Sequence, residues 1–153
     1  MTTDNLLPDM QGIRPFIGEL PSGSVIAFSP GDILVSNIRP YLKKIWHADS
    51  KGGASPDVLV LRPNRKVVLP EFLFYSLRRA DFFEFIMKDV KGIKMPRGKK
   101  QHILRYSVLV PNPSIQQSIV AQVKELEQEI RTRESKLHEL SEKRSRIISD
   151  FLA

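Results

Sequence analysis

The sequence contains no cysteine and only three histidines among its 153 residues. Disulfides and thiolate metal sites are therefore excluded. The histidines, His47, His102 and His138, show no ligand spacing, so no metal site is expected. No apolar run reaches transmembrane length, and the first ten residues do not form a secretory signal. We therefore expect a soluble cytoplasmic protein.

Signatures of catalysis are also missing. Gly92–Lys100 approaches the phosphate-binding loop, but it has one intervening residue too many and Lys100 stands where Ser or Thr would hold magnesium. Asp57 precedes an apolar strand, as in some nucleases, yet the acid-x-lysine that would complete a metal site is absent. Asn37–Tyr41 only faintly resembles an adenine methyltransferase loop, and no glycine-rich cofactor turn is present. We expect neither catalysis nor a cofactor.

The chain has enough apolar residues, 41%, to bury a core, so disorder is not expected. Apolar runs bounded by turn residues predict strands at Ser24–Phe28, Asp32–Ser36, Ile45-Trp46, Asp57–Leu61 and Tyr106–Val110. A helix is predicted from Pro70 to about Lys88, a loop at Lys51–Pro56 and a helical turn at Gln101–Leu104. Mixed elements in irregular order predict an α+β fold.

The basic segment, Lys88–Arg105, holds seven basic side chains against one acid. They are Lys88, Lys91, Lys94, Arg97, Lys99, Lys100 and Arg105. Gly92, Pro96 and Gly98 break any helix through its centre, so a loop is predicted. Such a concentration of charge indicates a polyanion site, and duplex DNA or RNA is the commonest polyanion. The simpler alternative is a solvated loop.

A second cationic group lies earlier in the chain. The candidate DNA contacts here are Asn37, Arg39, Lys43 and Lys44. An arginine can form two hydrogen bonds to guanine and an asparagine two to adenine, while lysines mainly contact phosphates. Alternatively, Arg39 and Lys43 are surface charges or pair with Asp32 or Asp49, and Asn37 forms an Asx turn.

Charge divides the chain into two predicted parts. Residues 1–113 carry 17 Lys and Arg against 10 Asp and Glu, a net charge of +7. Residues 114–153 carry seven of each, a net charge of zero. We therefore predict a domain over 1–113 that faces an anion, and an appendage over 114–153 that faces protein or solvent.

The appendage has the pattern of one long helix. Ser114–Gln117 fits a capping box, and no Gly or Pro follows it. Apolar residues then recur at heptad spacing, with Arg133 and Arg144 in the same register. They are Ile119, Val123, Leu126, Ile130, Leu137, Leu140, Ile147 and Phe151. A helix of about 57 Å needs a second helix to cover this stripe. A homodimeric coiled coil and a spacer helix that sets a distance both remain open.

Three motifs, in order, resemble one known family. They are Gly31–Tyr41 (GDILVSNIRPY), Lys91–Gly98 (KGIKMPRG), and Val110-Pro111 followed by Gln117 and the long helix. Together they are similar to the specificity subunit of type I restriction–modification systems, over roughly Thr2 to Phe151.

The resemblance implies both a fold and a role. Such subunits carry two α+β target-recognition domains, and each domain reads half of a split DNA site. Long antiparallel helices separate the domains, act as a ruler and dock the modification subunits. Those partners, with the restriction subunit, methylate adenine and cleave DNA using S-adenosylmethionine, ATP and magnesium. On this reading residues 1–113 form a recognition domain and 114–153 form a spacer helix.

The sequence also departs from the family pattern. It has one such unit where a complete subunit has two, and it is expected to begin partway into the domain. Ile93 stands where a threonine is expected. We therefore expect a half-subunit or a fragment. Two other classes remain open: a coiled-coil adaptor with a nonspecific nucleic-acid-binding loop, and a small nuclease with an unrecognised site.

Overall fold

Short strands and helices follow one another irregularly along the chain. The computed structural model describes residues 1–17, 23–92 and 94–152. The strands are β1 (Ile26–Phe28), β2 (Ile33–Ser36), β3 (Ile45–His47), β4 (Gly52–Ala54), β5 (Val58–Leu61), β6 (Val90–Lys91) and β7 (Arg97–Gly98). The helices are α1 (Pro70–Leu77), α2 (Ala80–Met87), α3 (Lys100–Ile103) and α4 (Pro113–Leu152). The α+β prediction is confirmed.

The central sheet is antiparallel, in the order β3-β2-β5. Leu34 of β2 lies opposite Trp46 of β3 and Val60 of β5. Ile33 and Val35 face one apolar cluster and Leu34 faces the other, because successive side chains of a strand point to opposite faces. A strand that is buried on both faces needs apolar residues at successive positions, which explains the continuous runs in β2 and β5.

Helices cover one face of this sheet. On this face the helices pack against the cluster that contains Ile33 and Val35. Their buried residues there are Leu77, Phe82, Phe83, Ile86 and Ile103. On the other face the β1–β4 pair and the first residues of the chain pack against the sheet. That cluster contains Leu6, Phe28, Leu34, Trp46, Ala48, Ala54 and Val58. The sheet is therefore the middle layer of the domain.

A buried carboxylate holds the turn before β2. Asp32, only 3% exposed, accepts hydrogen bonds from Arg62 Nε at 2.9 Å and Nη2 at 2.6 Å, and from the Ser29 amide at 2.9 Å. The Arg62 hydrogen bonds keep the pKa of Asp32 below its usual value, although burial opposes them. These contacts occupy the Asp32 carboxylate, so its predicted alternative pairing with Arg39 is wrong.

Three predicted elements differ from the structure. The helix predicted from Pro70 to Lys88 is two helices, because Arg79 is extended (φ −68°, ψ 149°) and redirects the chain between α1 and α2. The predicted loop Lys51–Pro56 contains β4, whose Ala54 pairs with Ile26. No strand forms at Tyr106–Val110, among residues the structure describes; Tyr106 and Val108 instead pack against the helical cluster.

The start of α4 also differs from the prediction. Asn112 caps the helix: its Oδ1 accepts hydrogen bonds from the Ile115 amide at 3.1 Å and the Ser114 hydroxyl at 2.7 Å. Pro113 then occupies the first helical position, where its missing N–H costs nothing. The predicted capping box beginning at Ser114 is therefore wrong by two residues, since an asparagine cap precedes it.

The chain divides into two compact units, Met1–Gln116 and Gln117–Ala153. In the first unit Gln116 is almost completely buried and bonds to three backbone groups. It accepts from the Leu69 amide at 2.8 Å and donates to the Val67 and Pro111 carbonyls at 3.2 and 2.8 Å. The described part of the second unit is helix α4 from Gln117 onward. No helix in the described part of the chain is long and apolar enough to cross a membrane.

Candidate nucleic-acid interface

The described residues of the basic segment form a pair of short strands and a short helix. Strands β6 and β7 pair antiparallel, with Val90 opposite Gly98 and Lys91 opposite Arg97. Gly92, at the start of the turn, has a φ of +86°, a conformation that favours glycine. Helix α3 follows directly. The predicted loop is therefore wrong, since two paired strands lie within it. Strands of two residues leave little periodic signal in a sequence. The predicted helical turn near Gln101 is present as α3.

Backbone contacts join this hairpin to the second cationic group. Ile38 forms an antiparallel bridge with Arg97. The Arg39 amide donates to the Pro96 carbonyl at 2.8 Å, and the Gly98 amide donates to the Asn37 carbonyl at 2.8 Å. Two segments that are far apart in the sequence therefore form one surface. We call it the basic surface, defined by Asn37–Lys44 and Lys88–Arg105.

Gly98 permits this close approach. A Cβ at residue 98 would lie 2.7 Å from Ile86 Cγ2 and 3.1 Å from Ile103 Cδ1. Buried Pro40 lies beside the same point, 3.7 Å from that position. Since real Cβ contacts are longer than 3 Å, a side chain here would push the hairpin away from Ile86 of α2 and Ile103 of α3. The glycine thus couples the basic hairpin to the core.

Two cationic residues of the surface have a left-handed backbone. Arg39 (φ 49°, ψ 61°) and Lys43 (φ 49°, ψ 46°) flank a 3-10 turn at Pro40–Leu42. Non-glycine residues with positive φ are uncommon, and such strain concentrates at functional sites. Sequence reasoning missed this feature, because neither residue type signals a left-handed conformation. The tight turn holds Arg39 beside Pro96.

The predicted cations fall into exposed and paired groups. Those whose side chains are exposed are Arg39, Lys91, Lys94, Arg97, Lys99 and Lys100. Arg97 Nη2 lies 3.0 Å from Asp57 Oδ1, and Lys99 forms an ion pair with Asp89. The hydrogen bond from Lys99 lowers the pKa of Asp89. Asp89 lies within this surface, and Asp57 reaches it from outside the two segments that define it. Each acid forms an ion pair with one cation.

Three predicted contacts are built into the fold. Lys44 is partly buried, its Nζ donates to the Thr3 carbonyl at 2.7 Å, and burial lowers its pKa. Lys43 is half-buried, and its carbonyl accepts from the Met10 amide at 3.1 Å. Asn37 is 8% exposed, and its buried Oδ1 has no hydrogen-bond partner among the residues that the structure describes. In this conformation the Asn37 amide is not presented to a ligand on the surface.

Residues 1–17, 23–92 and 94–152 contain no group of three or more His, Asp or Glu side chains that could hold a metal ion. Ile93, predicted to be a departure from the family motif, lies outside the described residues. The surface presents cations and hydrogen-bond donors, and this chemistry suits an anionic ligand.

An α+β domain with a basic surface, followed by a long helix, is the architecture that the resemblance predicts. No family model matches the chain. The chain is 29% identical over 120 residues to the type I restriction enzyme HindI specificity subunit of Haemophilus influenzae. This match covers 74% of the chain and 26% of that protein. The chain is thus similar to a type I specificity subunit, as its motifs indicate.

Two solved structures agree with this match. The HsdS subunit from Thermoanaerobacter tengcongensis superimposes with a TM-score of 0.69 at 26% identity. A chain from a structure of complex assembly and conformational transition in the type I R-M system gives 0.68 at 23% identity, which supports the fold. Each of the two matches covers 85% of this chain and 35% of the chain in the solved structure. The predicted family resemblance is confirmed, and the chain spans about a quarter to a third of these relatives.

Proposed function

We propose that this chain recognises a DNA sequence as the specificity component, or part of it, of a type I restriction–modification complex. The observation that carries the proposal is the hydrogen-bonded joining of Asn37–Arg39 to the basic hairpin. It gathers the cations of two segments on one surface, in a chain similar to specificity subunits. Methylation and cleavage belong to partner subunits, and this chain supplies no catalytic group.

The exposed cations have two roles in this proposal. Lys91, Lys94 and Lys100 neutralise phosphates and fix the register of the domain on the duplex. Arg97 and Arg39 present guanidinium groups, which can fork to the O6 and N7 atoms of guanine. Lys43 and Asn37 support this surface through the backbone.

Helix α4 supplies the spacer. Its heptad residues are exposed or half-exposed in the single chain; Leu126 is 58% exposed, Leu137 69% and Ile147 60%. A stripe of this kind is covered when it packs against another helix. We propose that a second specificity unit or a second copy supplies that helix, and that the pair docks the modification subunit and through it the restriction subunit. Such a pair would separate two half-sites by an unread spacer, making the target bipartite.

A coiled-coil adaptor that binds nucleic acid without sequence preference is the second candidate. It would use the same basic surface and the same helix. The similarity to specificity subunits favours sequence recognition instead. The two candidates differ in whether affinity depends on base sequence.

Fluorescence anisotropy with a labelled duplex over a salt series tests the site. In the test variant Lys91, Lys94 and Lys100 are changed to alanine. The control variant changes three exposed lysines elsewhere, Lys51, Lys66 and Lys143, so that net charge falls equally. The slope of log affinity against log salt should become shallower by roughly one unit per lost phosphate contact in the test variant only. Equal slopes in both variants would refute the placement of DNA on the basic surface.

A further inference from the structure

The Arg97–Asp57 ion pair places a carboxylate within a surface otherwise suited to an anion. Arg97 Nη2 lies 3.0 Å from Asp57 Oδ1, and the two side chains are 55% and 39% exposed. Asp57 directly precedes β5 of the central sheet, outside the basic segment. A carboxylate beside a duplex repels phosphates, so it lowers affinity. Its presence beside Arg97 therefore calls for another role.

Stability alone does not explain this pair. The backbones of both residues are already held at the same junction, because the Asn37 amide donates to the Asp57 carbonyl at 3.0 Å and Ile38 bridges to Arg97. Exposed ion pairs contribute little to folding stability, since solvent screens them and both side chains lose freedom. Because the main chain of Arg97 is already fixed, what Asp57 can add is a preferred orientation of the Arg97 side chain.

An arginine that reads a base must present its fork in one direction. The guanidinium group has five N–H donors, and Asp57 Oδ1 lies 3.0 Å from one of its nitrogens, Nη2. The remaining donors can still bond two acceptors of a guanine edge. Restricting the rotamers of Arg97 before DNA binds also reduces the entropy that binding must remove.

We propose that Asp57 is a positioning residue for sequence readout: its carboxylate holds the Arg97 guanidinium in the direction from which it bonds a guanine edge. This inference rests on the proposed function. Asp57 itself touches no base in this account. Its loss would therefore change which sequences are preferred, while general affinity for DNA would stay the same or rise, because one negative charge leaves the surface.

Selection from a pool of random duplexes, followed by sequencing, tests the inference with the full chain. The variants are Asp57→Asn, Arg97→Lys and Asp89→Asn. Asp89→Asn is the matched control, because it removes the acid of the other ion pair on the same surface, that with Lys99. Thermal unfolding and affinity for bulk duplex are measured alongside, since a purely structural role would lower both without changing base preference.

We expect the parent chain to enrich a short motif that contains guanine. Asp57→Asn and Arg97→Lys should lose the preference at the same base pair, by at least about fivefold, corresponding to the low end of a base contact's discrimination. Asp89→Asn should keep the parent motif. Bulk affinity of Asp57→Asn should equal or exceed that of the parent.

Two results would overturn the inference, and they are distinguishable. If Asp57→Asn enriches the parent motif while Arg97→Lys loses one position, Arg97 reads its base without help and the positioning role is wrong. If the parent enriches no motif, the proposed function fails, and the inference fails with it.

Discussion

Gly98 links the core of the domain to its candidate site. We predict that Gly98→Ala destabilises the protein by about 1–3 kcal/mol, the usual cost of overpacking, because the new Cβ would press on Ile86 and Ile103. Denaturant unfolding measures this loss. Ser107→Ala, at an exposed position nearby in sequence, is the control and should have little effect. Unchanged unfolding of Gly98→Ala would show that the hairpin can move away without cost.

The same substitution should weaken DNA binding. Displacing β7 lengthens the contacts from Gly98 to Asn37 and from Arg39 to Pro96, which join the two cationic segments. If Gly98→Ala loses stability but keeps full affinity for duplex DNA at a temperature where it is folded, the joined surface is not required for binding.

Asp32 should make stability depend on pH in the acid range. Its folded-state pKa lies below the usual value, first because of the Arg62 hydrogen bond. The unfolded chain therefore takes up this proton first, so the stabilisation is complete above about pH 4 and is lost as pH falls through the folded pKa.

Asp32→Asn provides the test of this linkage. Because Arg62 is largely exposed and solvent screens it, we expect a loss of only about 1–2 kcal/mol near neutral pH. Urea unfolding at several pH values should show the difference from the parent shrinking below about pH 4. A constant difference down to pH 2 would mean that the Asp32 charge contributes nothing.

At the scale of elements, long apolar signals were predictable and short pairings were not. The runs in β2 and β5 identify buried strands because both faces of the central sheet are covered. Strand β4 contains Gly52 and Gly53 and has no apolar pattern; only its pairing with β1 makes it a strand. The break at Arg79 between α1 and α2 has no Gly or Pro to signal it in the sequence.

The stripe of α4 is the element whose partner can be tested. We predict that Leu126→Asp with Leu140→Asp abolishes helix pairing and co-purification with a modification subunit, because two charges would lie in an apolar seam. Ala121→Asp with Ser135→Asp is the matched control: it adds the same charge at exposed positions outside the heptad stripe. Size-exclusion chromatography with light scattering measures helix pairing, and a pull-down measures co-purification with the modification subunit. If both double variants pair and co-purify equally well, the stripe is not part of the interface.

At the scale of the whole molecule, charge is divided unevenly along the chain. The net charge of +7 lies in residues 1–113, and residues 114–153 are neutral overall. Sequence alone could identify the cations of the two segments, but not that backbone hydrogen bonds join them. Nor could it show that Lys44 and Asn37 belong to the fold, or that Asp57 pairs with Arg97, because these depend on contacts between distant parts of the chain.

Sequence preference is the central claim, and a direct comparison of affinities measures it. A duplex enriched by selection and a shuffled duplex of equal length and composition are titrated with the full chain at one salt concentration. We predict that the enriched duplex binds at least about tenfold more tightly, since each good base contact contributes roughly 1–3 kcal/mol of discrimination. Equal affinity for both duplexes would contradict sequence recognition and would support the nonspecific adaptor.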